Sequence, residues 1–530
     1  MTYYRTINSH GRKYRQLVES KWNPDKKRSE VHVIQHLGPV IEKDGKEILK
    51  PSPLKVHSVD RAFPVGELAI YWKLAEEFRV YEAVMDVFGD SGNDVASGIL
   101  IMVLNQLVGR KPLTKLGPYV SSSPLPRWMD VGDKNLTKDY FLSALDNISK
   151  DVDSTIYSYS HQIQQNLTGY WRSIIGREPE RFLFFHDITR IRWNGSKTYY
   201  AEKGYGAKTG RPHIGFGLLV SQDNYMPVMG YPVRGSHHDT STVRKTIDNL
   251  NRYNLENVTL VWDRGFVSKE NIKYARGNHV HVLSAGVRSD SGVVDWITRY
   301  QDSEIERWEN ILPMAKDKGI YCKEEVGDLY GQKCKIVVTL DPPKRNHSRV
   351  ERDMLLQALE CETSKKRIAK LKKDLKPIAK PSKGRRGYKI SGEEEAVARK
   401  CDGRSLFFCT DIKMSGREIV RTYFQKDYIE KAFRFLRGNA CLTPVRYQLP
   451  GRVEVYLSVV NLIAYELIAA VLWKLKKYKS DVGFEGLMEQ AQKIYEVEMT
   501  SKGEKVYRWT QMTKNVEKLF KPFGITDLKT

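Results

Sequence analysis

The chain opens on alternation. From Met1 to about Val56, apolar and polar residues alternate in short runs (TYYRTI, RKYRQLVESKW, SEVHVIQHLG) broken by NSHGR and NPDKK. A period of two places successive side chains on opposite faces of a strand, and Gly, Pro, Asn and Asp interrupt it. A small β-rich region over 1–57 is expected. From about Ser58 the spacing lengthens to three and four, which predicts helices over Val65–Phe88, Asn93–Val108, Thr137–Ser149 and Ser154–Ile175, with Leu113–Asp130 as a loop. The region 58–178 therefore reads as a helical domain suited to DNA binding or dimerisation.

Past Arg181 the apolar runs become continuous. Phe182–Asp187 (FLFFHD) and Val258–Trp262 (VTLVW) read as strands covered on both faces. Between them lie two more strands, His213–Ser221 and Met226–Val233, and an amphipathic helix, Thr240–Tyr253; a helix near Ser268–Arg276 and a strand His279–Ser284 follow. Three strands, a helix and a strand is the order of a ribonuclease H-like domain, placed at 179–288. The pattern breaks over 289–403, an insertion in which Ile320–Leu340 reads as a hairpin, Val350–Leu375 as one long basic helix and Ala379–Tyr388 as a basic linker. It resumes over 404–476 with a strand at Ser405–Thr410, a helix at Arg421–Arg437 and an apolar helix at Leu457–Leu475. The stretch 477–530 is left as a tail. The expected class is α/β: a ribonuclease H-like catalytic domain with a β-rich plus helical insertion, behind a small β region and an α-helical domain.

Charge narrows the partner. The 530 residues hold 87 Lys+Arg and 64 Asp+Glu, so 87 − 64 = +23. An acidic polymer is the natural partner, and nucleic acid is favoured over a membrane because no basic amphipathic anchor stands out. The apolar run Leu457–Trp473 contains Asn461 and Glu466 and is short for a bilayer, which fits a buried helix. No signal peptide is expected from the polar Met1–Asn8. The six cysteines form no CxxC pair and have no clustered histidines, which argues against structural zinc and for a reducing cytosol.

The candidate chemistry gathers on acids. Asp187 and Asp263 each follow an apolar strand, and sites in open α/β sheets form at strand ends. Two such carboxylates repel each other unless a cation joins them. Hard oxygen ligands suit Mg²⁺ or Mn²⁺, and two ions about 4 Å apart can activate a nucleophile and stabilise a leaving oxygen. On the Arg421–Arg437 helix, Tyr423, Lys426, Glu430, Arg434 and Arg437 share one stripe beside an apolar stripe of Ile429, Phe433 and Leu436. Glu430 would complete the acidic set. Plainer readings stand beside these: an Asp as turn former, Gly265 supplying a positive φ in a β-to-α turn, His186 as a core group, Asp239 or Thr240 as a helix N-cap, and the salt bridges of an amphipathic helix.

The motifs resemble those of the DDE transposases of insertion-sequence family four. That family's signature runs Tyr, two residues, Arg, three residues, Glu, six residues, Lys; here it reads Tyr423, Lys426, Glu430, Arg437 at the same spacing, with the two cations exchanged. Asp263, Gly265 and Phe266 match its Asp-x-Gly-Phe/Tyr, and Asp187, with Thr189 just after it, matches the first acid. The gaps are 263 − 187 = 76 and 430 − 263 = 167 positions; the second resembles the β-rich insertion of that family. The opening strands and LTKDYFLSALDNI resemble a branch with a long N-terminal region, and the resemblance covers roughly 1–525. It implies a transposase that binds the terminal inverted repeats of an insertion sequence, cleaves the ends and joins the 3′-hydroxyls to target DNA. Asp187, Asp263 and Glu430 would hold Mg²⁺ or Mn²⁺, two ions in all, and Tyr423, Lys426, Arg434 and Arg437 would grip phosphates. A homodimer on double-stranded DNA and a cytoplasmic, nucleoid-associated place in a bacterial or archaeal cell are implied with it. Two other functions remain open at this point: a catalytically silent DNA-binding derivative, and a metal-dependent nuclease without strand transfer.

Overall fold

The computed structural model describes residues 2–24, 26–43, 46–49, 58–129, 131, 136–150, 158–176, 181–195, 198–204, 211–253, 255–314, 319–382, 387–440, 442–501 and 503–525. The chain divides into two units. One comprises residues 1–64, 494–511 and 527–530; the other comprises 65–493 and 512–526.

The smaller unit is all β. Thr2–Ser9, Arg12–Asn23, Arg28–Lys43 and Lys46–Leu49 pair in sequence order as a four-stranded antiparallel sheet. A second sheet of three strands has Tyr495–Ser501 at its centre, flanked by Glu504–Trp509 and by Ser58–Pro64. The β-rich region thus runs on to Pro64, and part of the presumed tail is a pair of strands. Buried Glu498 ties this sheet together, held by Arg61 and by Lys505 at 2.7 Å.

The larger unit is built on nine strands: β1 (Phe182–Arg192), β2 (His213–Ser221), β3 (Pro227–Arg234), β4 (Val258–Trp262), β5 (His281–Ala285), β6 (Ile311–Pro313), β7 (Gly319–Leu329), β8 (Gln332–Leu340) and β9 (Arg404–Cys409), in the order β6-β7-β8-β9-β5-β4-β1-β2-β3. β1, β4 and β5 are parallel neighbours, and every other pairing is antiparallel. The apolar runs are the reason for the arrangement. All nine residues of β2 and all five of β4 are buried, as sheet positions with both faces covered must be. The helix formed by Pro450–Val455, a π turn and Asn461–Lys477 packs on β3 and is buried along nearly its whole length, as the apolar run at Leu457–Leu475 leads one to expect.

Several expectations need correction. The 320–340 hairpin is not set apart from the sheet: β8 pairs with β9 along six residues, because its KIVVTL run is apolar enough for an interior strand. What lies outside the sheet in 341–403 is mainly helical. Val350–Leu375 is two helices rather than one, Pro342–Cys361 and Lys365–Asp374, and the Glu362 carboxylate between them accepts the N–H groups of Thr363 and Ser364, each at 2.9 Å. A side chain that satisfies backbone donors locally competes with the helix ladder. Leu113–Asp130 contains helices at Leu113–Ser121 and Leu125–Trp128, the first begun by Pro112 in an extended conformation and the second by Pro124. Val65–Phe88 is broken by a left-handed Arg79 into Gly66–Glu77 and Val80–Phe88. The first residues of the helix expected at Ser154–Ile175 fall outside the described residues; the described helix is Tyr159–Ile175.

Candidate active site

Register sets the first two acids side by side. β1 does not end at Asp187, as expected, but continues to Arg192 paired with β2. β4 is the strand that stops: Trp262 lies opposite His186, so Asp263, the next residue, comes level with Asp187. The chain then turns, and Asp263 caps a short turn by accepting the Arg264 N–H at 2.8 Å. Gly265 in this turn does not occupy the left-handed region, so φ is not why it is glycine. A Cβ there would stand 3.3 Å from the Asp239 carboxylate, which explains the residue by space.

The third element is two helices, not one. Gly416–Phe424 and Asp427–Gly438 are separated at Gln425 and Lys426: the Gln425 N–H is shared between the carbonyls of Arg421 and Thr422, four and three residues back, and the Lys426 N–H bonds three back, to Tyr423. Three contacts pull the chain out of line. Tyr423 lies on Phe407 with ring centroids 4.9 Å apart, Gln425 accepts from Gln222 at 2.5 Å, and Lys426 turns inward to place Nζ 3.0 Å from Asp263 Oδ2. The expected single stripe is thereby divided. Tyr423 and Lys426 go to Asp263. Glu430, Arg434 and Arg437, all exposed, line an open cleft of about 640 Å³ with Asp187 and Thr189, and the Arg437 guanidinium donates to the Thr189 hydroxyl. Ile429, Phe433 and Leu436 are buried, so the apolar half of the stripe serves as expected.

The acids differ electrically. Burial lifts the Asp187 carboxyl to about 6; Lys426 counteracts this, while Asp263 and Asp239 add to it. Burial also opposes ionisation of Asp263, but the Lys426 charge and hydrogen bond outweigh it and hold that carboxyl below the usual range. Tyr423 is pushed up to about 12, first by burial and then by the nearby Asp263 charge.

One acid escaped the sequence reading as part of this group. Asp239 begins the Asp239–Leu250 helix, with His238 rather than Asp239 or Thr240 at the N-cap position, and pairs with Arg190 at 2.6 Å. Its pKa is raised by burial, relieved by Arg190 and raised again by Asp263. The run Gly235–Thr240, with two histidines before Asp239, has a metal-like look in the sequence, but an acid at the start of a helix, where the helix dipole favours one, explains it more cheaply. His186 is the core group it was expected to be: fully buried, Nε2 2.7 Å from the Tyr231 hydroxyl, its ring 4.5 Å from Phe266, and its pKa held down at about 3 by burial.

Residues 179–467, more than half of the chain, match the model of the transposase DDE domain. The chain belongs to the transposase DDE domain family. Membership implies an enzyme that cleaves and joins DNA. A solved structure of the piggyBac transposase synaptic complex with hairpin DNA is 9% identical, covering 81% of this chain and 79% of that chain, with a TM-score of 0.35. No curated protein matches this chain.

DDE transposases generally use divalent metal ions, and the side chains here can be tested against that need. Among the described residues, no three carboxylate, histidine or cysteine groups stand close enough to hold one ion. The cation that meets Asp263 is Lys426. As placed, the acids of this transposase do not form a metal site.

Proposed function

We propose that this chain is the transposase of an insertion sequence: it binds the element's terminal inverted repeats, cleaves the DNA at its ends and joins the freed 3′-hydroxyls to target DNA, acting on double-stranded DNA as a homodimer in the cytoplasm. The observation that carries the reading is the register that brings Asp263 level with Asp187, with Glu430 lining the same cleft as Asp187. The strand order β3-β2-β1-β4-β5, antiparallel at β2 and parallel across β1, β4 and β5, supports a ribonuclease H-like core. Asp187, Asp263 and Glu430 are the acidic residues of the reaction. Arg434 and Arg437 at the cleft, with Tyr423 and Lys426 beside Asp263, supply positive charge and a phenol where a phosphodiester must lie; fixed cations there stabilise charge developing on the phosphoryl oxygens. The reading rests on these side chains and their placement, and Mg²⁺ or Mn²⁺ is the ion class that an acidic set of this chemistry prefers.

The test starts from the DNA beside the gene. Linear DNA carrying the terminal inverted repeats found there is incubated with the protein and Mg²⁺, and nicked, excised and joined products are separated. Asp187→Asn, Asp263→Asn and Glu430→Gln should each abolish all products while gel-shift binding persists, because many basic contacts hold the DNA. Cleavage without joined product would make the chain a nuclease; full activity of Glu430→Gln would overturn the site.

A further inference from the structure

A second cavity, of about 580 Å³, opens between the Asn93–Leu104 helix, the Lys138–Ser149 helix and the segment 443–460. That volume is within the range of small-ligand sites. Met102, Leu142 and Val460 give it an apolar floor, on which Tyr447 lies 4.9 Å from the Tyr456 ring. Its mouth is cationic. Arg110, Lys111, Lys138 and Arg446 are exposed, and none of the four has an ion-pair partner among the described residues. Arg452, which also lines the cavity, is by contrast held at 2.7 Å by Asp146. Among the described residues, no carboxylate lines it. An aromatic floor under a ring of unpaired cations matches a base with its phosphates. A paired base cannot present its face to such a floor; an unpaired one can.

Position ties the cavity to the cleft. Arg110 Nη2 donates to the Asn439 carbonyl at 3.3 Å, one residue beyond the helix that carries Glu430. At 1.5 Å per residue, Glu430 to Asn439 spans about 14 Å, or at most roughly four steps of a DNA strand at the 3.4 Å of a stacked duplex, and fewer of an extended single strand. Resting on the transposase reading, we propose that this cavity takes an unpaired nucleotide of the DNA strand, its base on Tyr447 and its phosphates on Lys111 and Arg446, within about four nucleotides of the bond at the Asp187–Glu430 cleft. The cavity thereby anchors a frayed strand end and fixes where the strand crosses the acids.

The test uses the full chain and two fluorescent probes, a short oligo-dT and a blunt hairpin duplex, titrated at several salt concentrations. Tyr447→Ala should weaken oligo-dT binding by roughly 5- to 150-fold, the range for one lost base–aromatic stack, and Tyr447→Phe should restore it. Lys111→Ala with Arg446→Ala should flatten the oligo-dT salt slope by about 1.4, at 0.7 per single-strand phosphate contact, and leave the duplex slope unchanged. If Tyr447→Ala melts early because Tyr456 loses its neighbour, exposed Arg446→Glu carries the same test without touching the floor. Wild-type affinity and slope in these variants would overturn the proposal. Wild-type protein that binds duplex but not oligo-dT would overturn it and leave the transposase reading intact; failure to bind either probe would overturn that reading as well.

Discussion

Glu466 offers the sharpest test of the energetics beneath the site. It lies within the Asn461–Lys477 helix, which packs against the Glu430 helix, and is fully buried with neither carboxylate oxygen hydrogen-bonded. Burial raises its pKa from 4.5 to about 8. Below pH 4.5 the group is protonated whether the chain is folded or not, and there is no penalty. Between 4.5 and about 8 the unfolded chain releases a proton that the folded chain keeps, so stability falls as pH rises, by about 1.4 kcal/mol per unit. At pH 7 that is (7 − 4.5) × 1.4, or about 3 to 4 kcal/mol; from pH 5 to pH 8 it is about 4 kcal/mol. Glu466→Gln cannot ionise, so this loss should vanish in the variant. The buried amide has unmet hydrogen bonds of its own, which makes the offset at pH 5 uninformative and the change with pH decisive. Denaturant unfolding of wild type and variant across pH 5 to 8, followed by near-UV signal of the larger unit, reads the difference directly. Parallel pH dependences in the two proteins would refute the reasoning.

Two other perturbations test the site and its support. Asp239→Asn removes a negative neighbour of Asp187 and Asp263, so both carboxyls should titrate lower and the acid limb of the pH–rate profile for DNA cleavage should move to lower pH; an unmoved limb would separate Asp239 from the acidic group. Arg404→Ala should cost about 3 kcal/mol or more in thermal or denaturant unfolding, because the buried guanidinium donates to the carbonyls of Ile297 and Tyr300 at 2.8 and 2.7 Å, which it would leave unmet, and pairs with Asp302, which would keep only Arg345 and Arg349; a loss below about 1 kcal/mol would mean water takes its place.

What the sequence disclosed follows the range of the forces involved. Continuous apolar runs mark strands covered on both faces, so β1, β2, β4 and β9 were legible, and the turn after VTLVW placed Asp263. The apolar face of the Glu430 helix was legible for the same reason. Pairings between distant segments leave no local trace. Nothing in Tyr495–Ser501 points to Ser58–Pro64, and nothing in QKCKIVVTL says that it joins β9 rather than standing apart. The division at Gln425 and Lys426 was hidden because both residues are good helix formers; the contacts that bend the chain, to Phe407, Gln222 and Asp263, come from elsewhere in the fold. Asp239 was read as a helix-start acid, because Asp187 and Asp263, the acids it joins, come from distant parts of the sequence.

The choice of lysine at 426 and arginine at 437 falls into place once the contacts are known. Of three neighbouring carboxylates, Asp263 raises the pKa of both Asp187 and Asp239, and Asp239 raises that of Asp187; two of the three have a cation of their own, Arg190 at Asp239 and Lys426 at Asp263. Asp187 has no ion pair among the described residues, and it is the carboxyl lifted to about 6. Position 426 delivers a positive point charge through a narrow space, in contact with Asp263 Oδ2 and at longer range to Asp187. An ammonium on a flexible stem does this with one contact, and a planar fork with five donors would have the rest to satisfy in a side-chain site only 12% exposed. Position 437 has a different task. Its side chain is exposed, reaches the Thr189 hydroxyl and still borders the cleft, and a guanidinium can hold one partner while presenting its other N–H groups to a phosphate. The charge is the same at both positions. The geometry of each contact decides which cation serves.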